Sequence, residues 1–122
     1  MLNLSGELRV FVCTQPADMR RSFDGLCGMV ESIVQQEPLS GHLFVFRNRN
    51  RDRLKILYWD RDGLAIWYKR LEQGTWQFPT DLKTADKDGV EISTDELSLL
   101  LGGIDLRSVQ RRRRYKRSEK NS

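Results

Sequence analysis

Five cations fall on alternate residues of this chain: Arg47, Arg49, Arg51, Arg53 and Lys55. In extended backbone, alternate side chains share one face, so the spacing lines up the charges in a row. Clustered guanidinium groups of this kind are suited to phosphate. The apolar runs Leu43–Phe46 and Leu54–Trp59 flank the row, with asparagines and Asp52 at its centre. That pattern predicts a β-hairpin with an arginine-rich tip. A charged loop that only keeps the chain soluble is the other reading, and the spacing alone leaves both open.

More cations lie close by in sequence. Arg61, Lys69 and Arg70 follow the row and are interleaved with Tyr58, Trp59, Trp67 and Tyr68. Together they could line one sheet edge, and a two-stranded ribbon fits a DNA major groove. The aromatic residues suit core packing equally well. Arg20 and Arg21 fall where a helix is expected to start, and the helix dipole disfavours cations there. Either an anion sits nearby, or a salt bridge to Asp18 or Asp24 relieves the misfit. A last cluster, Arg111, Arg112, Arg113 and Arg114, belongs to a tail that can add phosphate contacts without sequence specificity.

Catalytic chemistry finds less support. A metal-dependent nuclease needs carboxylates converging from separate elements. Asp60 and Asp62 instead share one turn, beside Gly63. His42 has no evident acidic partner, and its neighbour Ser40 does not make a triad, because adjacency in sequence is not triad geometry. No Gly-rich phosphate loop is present. Cys13 and Cys27 match no common zinc spacing and read as buried free thiols. The expectation is no catalytic residue, no metal and no cofactor.

Composition sets the frame. The 122 residues suffice for one domain of ordinary size, and 39% hydrophobic against 31% charged residues give a core under a heavily charged surface. No apolar run approaches the roughly 20 residues that span a bilayer. No signal peptide is evident at Met1, so a cytoplasmic location is expected. The net charge of +4 is unevenly spread. The tail holds Arg107, Arg111 to Arg114, Lys116, Arg117 and Lys120 against Glu119 alone, which leaves the body mildly acidic.

The elements that would position these residues follow from periodicity. Residues 7–13 alternate as a strand, and Pro16 breaks it. Asp18 reads as the N-cap of a helix to about Gln36, with Phe23, Leu26, Cys27, Val30, Ile33 and Val34 on one face. Gly25 and Gly28 suggest close packing of that helix on a sheet. Strands are expected at 43–47, 54–59 and 64–70, the second of them interior because both its faces are apolar. Gly63 is the expected site of positive φ in the turn between the last two. Trp76 and Phe78 suggest a short strand, residues 80–89 a loop, and Val90 and Ile92 another strand. Ser93-Thr-Asp-Glu96 is a capping box for a helix ending at Gly102-Gly103. The fold class is therefore α+β. One domain over 1–105 holds an antiparallel meander packed by one main helix and a short C-terminal helix. A basic, disordered tail follows at 106–122.

Longer motifs carry a resemblance. Asp18-Met-Arg-Arg-Ser-Phe-Asp-Gly-Leu26, Pro38-Leu-Ser-Gly-His-Leu-Phe-Val-Phe-Arg-Asn-Arg49, Leu54-Lys-Ile-Leu-Tyr-Trp-Asp60, Tyr68-Lys-Arg-Leu-Glu72 and Leu100-Leu-Gly-Gly-Ile-Asp105 resemble the second-reading-frame accessory protein of IS66-type bacterial insertion sequences. That family is distinct from the RNA-guided nuclease with which it shares a label. The resemblance spans about residues 7–105 and departs at Leu64-Ala-Ile-Trp67, where a bulkier pattern is expected. It implies a role in transposition beside a separate, catalytic transposase. DNA at the element ends and that transposase are the implied partners. An adaptor that docks on the transposase without touching DNA is the alternative. The basic tail lies outside the resemblance.

Overall fold

The computed structural model describes residues 8–79 and 87–102. The expected 80–89 loop falls mostly outside them, and the basic tail wholly. The elements are β1 (Val10–Cys13), α1 (Phe23–Met29), β2 (Leu43–Arg47), β3 (Arg53–Asp60), β4 (Gly63–Arg70), β5 (Gly89–Ile92) and α2 (Thr94–Leu101). They form an α+β fold around one five-stranded sheet, ordered β4-β3-β2-β1-β5. β2, β3 and β4 make the expected antiparallel meander. β1 departs from expectation: it pairs parallel to β2. The chain between them crosses over through α1, and such a crossover returns the next strand in the same direction. β5 completes the sheet antiparallel to β1.

Both faces of the sheet are covered, which explains the apolar residues on both faces of β3. Val10, Val12, Leu43, Val45, Leu54 and Ile56 face α2, where Leu97 and Leu100 complete one buried cluster. Phe11, Phe44, Phe46 and Leu57 face α1, against Leu26, Met29, Val30 and Val34. The alternation read from the sequence holds in β1 and β3. The capping box also forms: Glu96 N donates to Ser93 Oγ (3.0 Å) and Ser93 N to Glu96 Oε1 (2.8 Å).

The first helix is shorter than its pattern. It begins at Phe23 after Ser22. Asp18 does not cap it but closes a turn before it: Arg21 N donates to Asp18 O (2.9 Å). A π-helical turn, Val30–Val34, extends the helix and ends at Gln35 in the left-handed region (φ 62°). The close approach expected of Gly25 and Gly28 occurs elsewhere. A Cβ on Gly25 would lie 3.1 Å from the Arg21 side chain rather than against the sheet, and one on Gly28 would meet nothing, whereas a Cβ on Gly89 would lie 2.8 Å from Val34 Cγ1. Gly89 thus lets β5 pass against the π-turn.

Two turn expectations also change. Positive φ in the β3–β4 turn falls on Arg61 (60°), not on Gly63, which instead starts β4 opposite Asp60. Residues 75–78 form no strand, although Trp76 is fully buried against the α2 face of the sheet.

Candidate nucleic-acid interface

Antiparallel pairing brings the C-terminal end of β2, the start of β3 and the end of β4 to one end of the sheet. The connector from β1 to α1 arrives at the same end, where Ala17 N donates to Arg47 O (2.8 Å). Most of the cations singled out by the sequence therefore meet there, but they divide into buried and presented groups.

Arg47 and Lys55 are buried, so they do not share an exposed face with their alternating neighbours. Arg47 donates through a terminal guanidinium nitrogen to Thr14 O. Burial pushes its pKa down, and the charge of Arg51 adds to that. Lys55 Nζ donates to Met19 O (2.8 Å) and Arg21 O (2.7 Å) and sits 4.6 Å from the Tyr68 ring centroid. Its contacts explain why a charge is tolerated inside: carbonyls and an aromatic face replace water. Both residues hold the 14–21 connector against the sheet. The correction to the alternating row is thus physical: Arg47 stands opposite Leu54 and Lys55 opposite Phe46, so they fall on different faces of a sheet that is covered on both.

Arg49, Arg51 and Arg53 occupy the hairpin tip. Arg49 is exposed; Arg51 and Arg53 are half-buried. The tip is tied at several points. Asn48 Nδ2 donates to Asp52 Oδ1 (2.6 Å), and Asn48 Oδ1 accepts from Arg53 N (3.0 Å). Arg51 N donates to Asn48 O (3.1 Å). From outside the hairpin, Trp76 N donates to Arg51 O and Leu71 N to Asp52 O, each at 2.7 Å. Arg51 adopts φ 61°, a conformation that strains a residue with a side chain. Sequence reasoning missed Asn48 and Trp76 as the residues that fix the tip. Asparagine at a turn is a local signal, whereas nothing local marks Trp76.

The electrostatics at this end oppose the fold. Arg53 and Arg70 stand directly opposite one another across β3 and β4, a destabilising arrangement for like charges. Arg70 is paired with Glu72 (3.0 Å), and Arg53 reaches the Tyr68 hydroxyl at 3.4 Å. Among the described residues, Arg21, Arg49, Arg51 and Arg53 have no ion-pair partner. Arg20 does: its guanidinium donates from Nε to both carboxylate oxygens of Asp18 and from a terminal nitrogen to one of them, the closest contact at 2.7 Å. The salt-bridge alternative is therefore realised at Arg20. A depression of about 380 Å³ separates the two basic loops and is lined by Asp18, Met19, Asn48, Arg49, Asp52 and Arg53.

The remaining candidates are placed elsewhere. Lys69 lies on the α2 side, with Nζ 5.9 Å from the Trp76 ring centroid. Arg61 is in the β3–β4 turn at the opposite end of the sheet, roughly 23 Å away by the rise of an extended strand. Arg111, Arg112, Arg113 and Arg114 lie outside the described residues. Of the aromatics, Tyr58 and Trp67 pack against the α2-side core, while Tyr68 is exposed.

His42 is tied into the sheet, since its Nδ1 accepts from Arg9 N (3.0 Å). Ser40 Oγ accepts from the backbone of His42 rather than its ring. Cys13 and Cys27 are free thiols, the first buried and the second half-buried, and burial pushes both pKa values up. Among the described residues, no three His, Cys, Asp or Glu side chains converge on a metal-sized site. Among them too, no helix is long and apolar enough to cross a membrane.

The Asp18–Arg20 clasp has a measurable signature. Hydrogen bonds from Arg20 hold the Asp18 carboxyl down to about 2. A depressed acid stabilises the fold above its unfolded pKa of about 3.9. That contribution is lost as the pH falls through the folded value, so the window lies between about pH 4 and 2. Carboxyl chemical shifts should titrate near 2 for Asp18, and Arg20→Ala should return the midpoint towards the unfolded value.

The class defined here is a small α+β protein that presents a tied-down basic hairpin. The family model described as IS66 Orf2 like protein matches residues 8–111. The chain belongs to that family, the transposition-associated accessory proteins of insertion sequences. It is 41% identical over 113 residues to "Uncharacterized protein y4jC" of Sinorhizobium fredii, covering 92% of each chain. It is 37% identical over 110 residues to "Uncharacterized protein y4hO" of the same organism, covering 90% of this chain and 92% of the relative. No solved structure matches.

Proposed function

We propose that the protein is a non-catalytic accessory factor that binds the DNA ends of its insertion sequence through the β2–β3 tip. One observation carries the reading. Arg49, Arg51 and Arg53 are held on a turn fixed by Asn48, Trp76 and Leu71, without ion-pair partners among the described residues. Clustering like charge on a pre-ordered turn costs stability, and an anionic partner repays that cost on binding. Phosphate contacts from Arg20, Arg21 and Arg70 extend the same surface, and the tail adds sequence-independent charge. Lys69 and Arg61 lie off this surface. The protein acts in the cytoplasm beside the element's transposase, its second partner.

The test is a mobility shift with duplex DNA from the element's terminal repeats, with and without transposase, over a series of salt concentrations. Binding that weakens steeply between about 50 and 200 mM salt is the expected result. No shift at low salt, combined with capture of purified transposase, overturns the DNA reading in favour of an adaptor.

A further inference from the structure

We infer that the outer edge of β4 pairs with β4 of a second copy of this chain, about a two-fold axis through Ile66. The inference is independent of the DNA reading.

The direction of the backbone groups follows from one hydrogen bond. Asn48 N donates to Arg53 O (3.2 Å), so the backbone groups of Arg53 point at β2. Directions alternate along a strand. Leu54, Ile56, Tyr58 and Asp60 therefore point theirs at β4, where their opposite residues are Lys69, Trp67, Ala65 and Gly63. By the same alternation, Leu64, Ile66, Tyr68 and Arg70 direct their N–H and C=O groups outward. β4 is the end strand of the sheet, and these groups have no backbone partner among the described residues. The edge is eight residues long, Leu64 and Ile66 are only half-buried on it, and Tyr68 is 47% exposed.

Self-pairing is tightly restricted. An added antiparallel strand must set outward-pointing residues opposite outward-pointing residues. For two copies of one strand, the axis must then pass through a residue that faces its own copy. Centred on Ile66, the pairing sets Tyr68 against Leu64 and Trp67 against Ala65, and brings Arg70, which Glu72 also holds, against Asp62 in the β3–β4 turn of the other copy. Centred on Ala65, it would set Lys69 against Arg61. Centred on Trp67, it would set Arg70 against Leu64. Only the Ile66 register combines opposite charges with aromatic-on-aliphatic pairs, both favourable across strands. The symmetry makes each pair twice. The resulting ten-stranded sheet carries its two basic tips at opposite ends.

Sedimentation equilibrium of the full chain should give a dimer at micromolar concentration. Asp62→Arg and Arg70→Asp should each raise the dimer dissociation constant, roughly tenfold for a pair lost twice. The double swap should restore it, which separates pairing from misfolding. Amides of Leu64, Ile66, Tyr68 and Arg70 should gain protection from hydrogen exchange as concentration rises. A monomer at every concentration, a dimer indifferent to the swaps, or unprotected amides at those four residues overturns the inference.

Discussion

Trp76→Ala is expected to cost about 3–5 kcal/mol of unfolding free energy, as for other buried large-to-small substitutions. That is a large share of the 5–15 kcal/mol, roughly, that holds a typical domain together. Trp76 is fully buried, yet it belongs to no strand or helix. Its ring meets Trp67 edge-on, with centroids 6.4 Å apart, inside the cluster under α2. It also fastens the basic tip, because its backbone N–H holds Arg51 O. Removing the ring frees the segment that carries that bond. The same variant should therefore weaken tip-dependent binding more than global instability explains, once both are measured below the unfolding transition. Trp76→Phe is the control. The indole Nε1 has no partner among the described residues, so phenylalanine loses volume but leaves no donor behind. It should cost well under half as much in chemical denaturation.

Trp76 also marks where the sequence stops being legible. Strands β1 to β5 and helix α2 follow from alternation, turn residues and a capping box, all of them local signals. The candidate basic surface reads as a charge pattern over residues 47–70. What the pattern did not reveal is which cations point inward. Lys55 lies in a strand whose two faces are both covered, so its ammonium group is buried under the connector carbonyls. That depends on the crossover that sets β1 parallel to β2, and no local signal carries it. The early end of the α-helical pattern has a similar cause. Phe23 to Val34 keep helical spacing, but the last turn widens to π geometry where β5 passes it at Gly89. The pin at Trp76 depends on a contact 25 residues away in sequence, between its N–H and Arg51 O. Spacing alone cannot specify such a contact.

The triple variant Arg49→Ser, Arg51→Gly, Arg53→Ser is expected to bind the element's DNA on the order of a hundredfold more weakly near 0.15 M salt. The magnitude follows from counterion release, at about fivefold for each phosphate contact at that salt concentration. The slope of log affinity against log salt should become shallower by about 2.7, or about 0.9 for each contact. The informative feature is that stability should move the other way. Arg51 sits at φ 61°, where glycine removes steric strain of about 1 kcal/mol. Arg53 faces Arg70 across the strands, so its removal relieves repulsion. Arg49 is exposed and has no ion-pair partner among the described residues. The clasp of Asn48 on Asp52 is untouched. Chemical denaturation should thus find the variant at least as stable as the wild type, while the mobility shift finds it crippled. A surface kept only for solubility gives no such opposition, because its charges could be removed without loss of binding. If the variant retains wild-type affinity and salt slope, the tip is not the interface, and any DNA contact must come from another basic segment.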